Sequence, residues 1–240
     1  MNIFKRSVRF LYDVLFKSEI DMRFRNQFTW SQLGEDIPLQ LFMTRRNNGF
    51  YVDIGANHPF YLSNSYWAYK NGWKGIDIEP NVECIELLNQ YRKEDTILNC
   101  GISDEEGLLS YYRYTSSELN TFNETEVDSR KEKPIEVVNV PVRRLDSIFK
   151  ENKVRHIDFM SIDVEGFEIN VLKSNDWDNP CYVPDYIIIE AFAATIDELK
   201  VHPVNTFLEE KGYACICKYH ISAIYVHKTC WDEYINYYMK

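Results

Sequence analysis

The sequence predicts an α/β fold built on one open, mostly parallel sheet. Beyond residue 30, short apolar runs that end in acidic residues or glycine alternate with helical patterns, the rhythm of βαβ units. The chain is 240 residues long, enough for one large domain with an appendage and too short for two independent ones. Hydrophobic residues make up 45% and charged residues 27%, which excludes a disordered or collagen-like chain and allows a sizeable core.

In the first 17 residues, Phe4, Val8, Leu11 and Leu15 recur at three- and four-residue spacing with Lys5, Arg6 and Arg9 elsewhere. That spacing predicts an amphipathic helix inside an N-terminal extension, residues 1–30, ahead of the domain proper at 31–240. Neither a signal-peptide apolar region with its cleavage site nor a run of ~20 apolar residues follows, so a cytoplasmic chain is expected. The extension carries six basic and three acidic side chains on a chain whose net charge is −10. Two uses fit it: a packing or homo-oligomer contact, and peripheral docking on an anionic membrane through residues 1–17. The six cysteines form no CxxC pair and read as reduced thiols.

Five buried strands follow: GFYVDIG (49–55), WKGIDIEP (73–80), DTILNCGIS (95–103), HIDFMSIDVEG (156–166) and DYIIIEAF (185–192). Helices fall at 63–72, 81–93 and 204–212, the first and last ending at glycine. CICKYHISAIYVH (215–227) reads as two antiparallel strands. Residues 104–143 break the rhythm and read as an inserted hairpin with a mobile polar tip, long enough to cover an active site.

Ligands of an open parallel sheet sit beyond the carboxyl ends of its strands. The first run ends Asp53-Ile54-Gly55-Ala56-Asn57, and Gly55 permits a sharp turn facing a small anionic group; Asn57 stands where a dinucleotide loop needs glycine, which disfavours pyrophosphate and a nicotinamide-dependent oxidoreductase. Glu79-Pro80 ends the second run, with a carboxylate suited to ribose hydroxyls. The third ends Asn99-Cys100-Gly101-Ile102. On the fourth, Asp163 and Glu165 share a face by the period of two, and Glu190 closes the fifth. Crowded carboxylates there fit a general base or a hard-metal site. The acidic balance argues against nucleic-acid binding and favours neutral or sugar-like substrates.

The segments SQLGED (31–36), GFYVDIGANHP (49–59), SNS (63–65), GWKGIDIEP (72–80), NCGIS (99–103), RRLDSI (143–148) and IDFMSIDVEGFEINVL (157–172) together resemble the FkbM family of S-adenosylmethionine-dependent methyltransferases. The resemblance spans about residues 30–230. It implies a class I, Rossmann-like methyltransferase fold with a seven-stranded, mostly parallel sheet and helices on both faces. It also implies O-methylation of a small-molecule or glycan acceptor, as in polysaccharide biosynthesis. By the resemblance, Asp53, Gly55, Ala56 and Asn57 hold the methionine portion of S-adenosyl-L-methionine and Glu79-Pro80 its ribose. Adenine approaches Asn99, Cys100, Gly101 and Ile102. Ser31 and Gln32 fold over the methionine end, Asn64 stands close by, and Asp163 and Glu165 face donor and acceptor.

Asp163, Glu165 and Glu190 are then the catalytic candidates, acting as base or orienting one. A divalent cation, Mg or Mn, on Asp163 and Glu190 is the other route to an acidified hydroxyl. His202 and His220 are spare bases. A non-catalytic nucleotide- or sugar-binding module on the same sheet is the rival from another class.

Overall fold

The apolar runs form a seven-stranded sheet in the computed structural model, which describes residues 29–238. The amphipathic helix expected at residues 1–17 lies outside the described residues. The elements are α1 (Asp36–Phe42), β1 (Phe50–Ile54), α2 (Tyr66–Lys70), β2 (Lys74–Ile78), α3 (Val82–Tyr91), β3 (Thr96–Leu98), β4 (Gly101–Ile102) and β5 (Gly107–Arg113). There follow α4 (Glu124–Ser129), β6 (Glu136–Arg143), α5 (Leu145–Glu151), β7 (Phe159–Ile162) and α6 (Glu168–Lys173). The chain continues through β8 (Tyr186–Glu190), α7 (Ile196–Lys200), α8 (Pro203–Glu210), β9 (Tyr213–Tyr219), β10 (Ser222–His227) and α9 (Trp231–Tyr238). Among the described residues no helix is long and apolar enough to cross a membrane.

The sheet order is β3-β2-β1-β7-β8-β10-β9, with β10 alone antiparallel to the rest. This is the class I methyltransferase architecture expected above. Alternate residues divide the core. Val52, Ile54, Ile76, Ile78, Met160 and Ile162 face α5, α6 and α8, while Tyr51, Phe159, Tyr186 and Ile188 face α1 and α2.

The run at 95–103 is not one strand. β3 stops at Leu98, where the Asn99 side chain donates to the carbonyls of Glu79 and Pro80 (3.0 Å each), and β4 leaves for a second sheet, β4-β6-β5. The insertion is the expected hairpin, β5 against β6. Its tip, expected as a mobile polar loop, is folded instead: a 3-10 turn at Ser117–Leu119, a bridge between Tyr112 and Thr121, and α4, capped by Asn123.

One polar cluster lies within the α2 face. Register places Asp53 beside Asp77 on β2 and Ser161 on β7. Arg92, 1% exposed, enters from the end of α3 and lies 3.8 Å from both Asp77 and Asp95. It donates to the hydroxyls of Tyr51, Ser63 and Ser65, and the rings of Tyr51, Tyr66 and Tyr69 surround it. Replacing it removes the cation facing three buried acids, so Arg92→Met is expected to lose about 3–5 kcal/mol in urea unfolding, against the near-neutral effect of a surface arginine.

Candidate active site

The crossovers after β1 and β7 run to opposite sides of the sheet, which opens a crevice at their carboxyl ends. Gly55 makes it narrow. Its φ is +82°, and a Cβ there would stand 1.8 Å from the Asp163 carbonyl oxygen, so the turn after β1 touches the chain after β7 only as glycine. Asn57 follows with φ +47° and donates its N–H to one Glu79 oxygen (2.9 Å), while Asn81 N–H reaches the other (2.8 Å). Burial pushes the Glu79 carboxyl up to about 7, against the pull of those two bonds.

Above this turn is a cavity of about 890 Å³, counted to its open mouth. The expected Gln32, Gly55, Asn57, Asn64, Glu79, Pro80, Cys100, Gly101, Ile102, Asp163 and Glu165 all line it. Four expected donor contacts do not. Asp53 lies beneath, hydrogen-bonded to Ser65 and Ser161 and facing Arg92. The Ala56 N–H is used on the Ile78 carbonyl, Asn99 braces the β2 end, and the Ser31 hydroxyl bonds the Asp36 carboxylate within its own loop. These four hold the walls rather than form them.

Sequence reasoning missed Glu35 and the apolar Leu62 and Phe167, as well as Ser117, Glu118, Asn120, Thr121 and Phe122 from the insertion. The insertion reads as a cover in the sequence, but no local motif marks which of its residues turn inward. The lining carries five acids, Glu35, Glu79, Glu118, Asp163 and Glu165, and no Lys, Arg or His among the described residues. His202 caps α8 and His220 sits exposed at the β9–β10 turn, so neither lines the cavity.

The acids at the far end meet for a different reason from the one expected. β7 ends at Ile162, so Asp163 and Glu165 do not share a strand face; the left-handed turn at Glu165 (φ +54°) and Gly166 (φ +92°) brings them together. Oxygens of Asp163, Glu165 and Glu190 lie within 4.8 Å of one another. Glu190 stands behind Asp163, 3% exposed, with its Oε2 lacking a hydrogen-bond partner. Burial, then the Glu165 charge, raises Asp163 to about 8; burial, then Asp163, raises Glu190 to about 11. Glu190 therefore keeps its proton near neutral pH and shares it with Asp163. Glu165 has its own counter-ion, Arg130.

The sequence matches the family described as the methyltransferase FkbM domain over residues 53–215. No curated protein matches it. Among solved structures it is similar to a precorrin-6y C5,15-methyltransferase from Geobacter metallireducens GS-15, at 12% identity over 84% of this chain and 93% of that one, TM-score 0.40. It is also similar to the 1,6-didemethyltoxoflavin-N1-methyltransferase of Burkholderia thailandensis, at 9% identity over 80% and 76%, TM-score 0.44. A methyltransferase from Geobacter sulfurreducens is 13% identical over 93% and 97%, TM-score 0.40.

The raised Asp163 has a sign in stability. An unfolded aspartate ionises near 3.9, the native one at about 8, so stability present below pH 4 is lost as pH rises towards 8. Asp163→Asn lacks that loss. Its melting temperature relative to wild type is expected to rise by several degrees between pH 5 and pH 8, read by thermal unfolding at both.

Proposed function

The chain belongs to the FkbM methyltransferase family, and on that premise we propose that it methylates a hydroxyl of a sugar, glycan or related natural product, with S-adenosyl-L-methionine as donor. The observation that carries the reading is a single cavity that joins Glu79 at one end to Asp163 at the other, with Glu190 buried behind Asp163. S-adenosyl-L-methionine, when bound, supplies an electrophilic methyl on a sulfonium.

The residues fit that donor. Each Glu79 oxygen accepts one backbone N–H and keeps lone pairs for two ribose hydroxyls. Pro80, Ile102, Tyr111 and Phe122 offer apolar surface for the adenine. The side-chain amides of Gln32, Asn57 and Asn64 can bond the amino-acid end, and a lining with acids and no base suits a donor whose charge is positive overall.

Asp163 is the proton acceptor in this reading. A carboxylate lifted to about 8 is a stronger base than an ordinary one, and Glu190 holds it in place through the shared proton. The ionised form is the base, so turnover rises as pH climbs through about 8. A second reading has support of its own: the same three carboxyls and the unpartnered Glu190 oxygen could hold a divalent cation that acidifies the hydroxyl.

Calorimetric titration with S-adenosylhomocysteine tests the donor site. Micromolar binding is expected in wild type and at least tenfold weaker binding in Glu79→Ala; a folded wild-type protein that does not bind would sink the reading. With an acceptor in hand, Asp163→Asn is expected to lower turnover by about 10²–10⁴-fold. Full activity after exhaustive chelation selects the carboxyl base, and loss restored by magnesium or manganese selects the cation.

A further inference from the structure

The wall of the cavity opposite the sheet comes from the segment between β5 and β6, through Ser117, Glu118, Asn120, Thr121 and Phe122. That segment is tied to the site at both ends. Ser117 Oγ donates to Asn57 Oδ1 (3.0 Å) on the turn after β1. Thr121 Oγ1 donates to the Glu165 carbonyl and Asn123 Nδ2 to the Gly166 carbonyl (2.8 Å each), both on the turn after β7.

Arg130, directly after α4, gathers these ties. One guanidinium nitrogen donates to the Leu119 carbonyl and another to the Glu165 carboxylate. Its Cζ lies 5.4 Å from the centre of the Tyr114 ring, and Nε is 3.9 Å from Glu126. It does not line the cavity. A lysine ammonium is a point charge on a flexible stem, whereas the guanidinium fork serves a carbonyl and a carboxylate at once.

We infer that Arg130 is a positioning residue: by pinning residues 117–122 to the Glu165–Gly166 turn, it holds the wall against which the adenosine end of the donor is bound. This rests on the donor reading above. Arg130 sits only 16% exposed, so the pair is screened little and the fastening is stronger than a surface ion pair. The contact also fixes the Glu165 side chain, which otherwise lies beside Asp163 with no cation facing it.

The test uses the full chain as wild type, Arg130→Met, Arg130→Lys and Glu165→Gln. Amide hydrogen exchange of the ligand-free proteins reads the fastening, because the N–H groups of Leu119, Asn120 and Thr121 are bonded within the folded tip. Exchange there is expected to quicken about tenfold in Arg130→Met, with β1 and β7 unchanged, and S-adenosylhomocysteine affinity to fall about tenfold. Arg130→Lys should recover part of both, and Glu165→Gln should move both in the direction of Arg130→Met. Wild-type exchange and affinity in Arg130→Met would overturn the inference, as would faster exchange with unchanged affinity. A wild-type protein that binds no S-adenosylhomocysteine defeats the donor reading instead, and the exchange comparison still decides whether Arg130 pins the segment.

Discussion

Burying a guanidinium among carboxyls, as Arg92 is buried beside Asp53, Asp77 and Asp95, is tolerable only while every partner stays in place. Burial pushes all three acids upward and Arg92 pulls each of them back. The partners come from different parts of the chain: Asp53 from β1, Asp77 from β2, Asp95 from the approach to β3, and Ser63 and Ser65 from the loop entering α2. That loop carries Leu62 and Asn64 to the cavity. One side chain therefore fixes two strand ends and a cavity wall with respect to one another. The ion pairs are 3.8 Å long and Asp77 has no direct hydrogen bond, so Arg92 holds its acids by attraction across the cluster while its hydrogen bonds go to the hydroxyls of Tyr51, Ser63 and Ser65.

The acids at the other end of the crevice solve the same problem differently. Asp163 and Glu190 have no buried cation, and the lower-energy state of such a pair shares a proton. Arg92 pulls its acids back without returning them to the ordinary carboxylate range, whereas the pair has no cation to pull on it. The two clusters thus differ in what neutralises them, a guanidinium in one and a shared proton in the other. The loss of stability that a raised Asp163 implies at neutral pH is the usual consequence of keeping a carboxyl out of water.

Much of this was legible in the sequence, for a physical reason. Strand ends are punctuated by the residues that leave the sheet, so Gly55, Glu79, Gly101 and Asp163 stand out as breaks in apolar runs and fall where the ligand crevice of a parallel sheet must lie. What the same punctuation cannot show is depth. Asp53 and Glu79 both read as acids ending a strand, yet Asp53 points into the α2 face and meets Arg92, 39 residues away, a partner no local pattern reveals. The meeting of Asp163 with Glu165 was foreseen for the wrong cause, since a left-handed turn at a non-glycine residue leaves no mark in a hydrophobic pattern. The inward side of the insertion was hidden as well, because its register depends on one bridge and a few side-chain bonds.

The break at Asn99 connects these observations. Had the third strand run on to Ser103, Gly101 and Ile102 would be spent extending the main sheet; because it stops, they pair with β6 and bring the hairpin to the cavity edge. Gly101 then seats Phe122, whose ring a Cβ would meet at 2.5 Å, so the insertion is packed on the strand end as well as tied by hydrogen bonds. The sheet supplies the parts of the site that its topology dictates, the turn at Gly55, the carboxylate at Glu79 and the acids after β7. The insertion supplies a wall whose shape the sheet does not constrain. Changes between Tyr114 and Arg130 can therefore alter what the cavity accepts while leaving the Arg92 cluster untouched, provided the fastening on the turn after β7 survives.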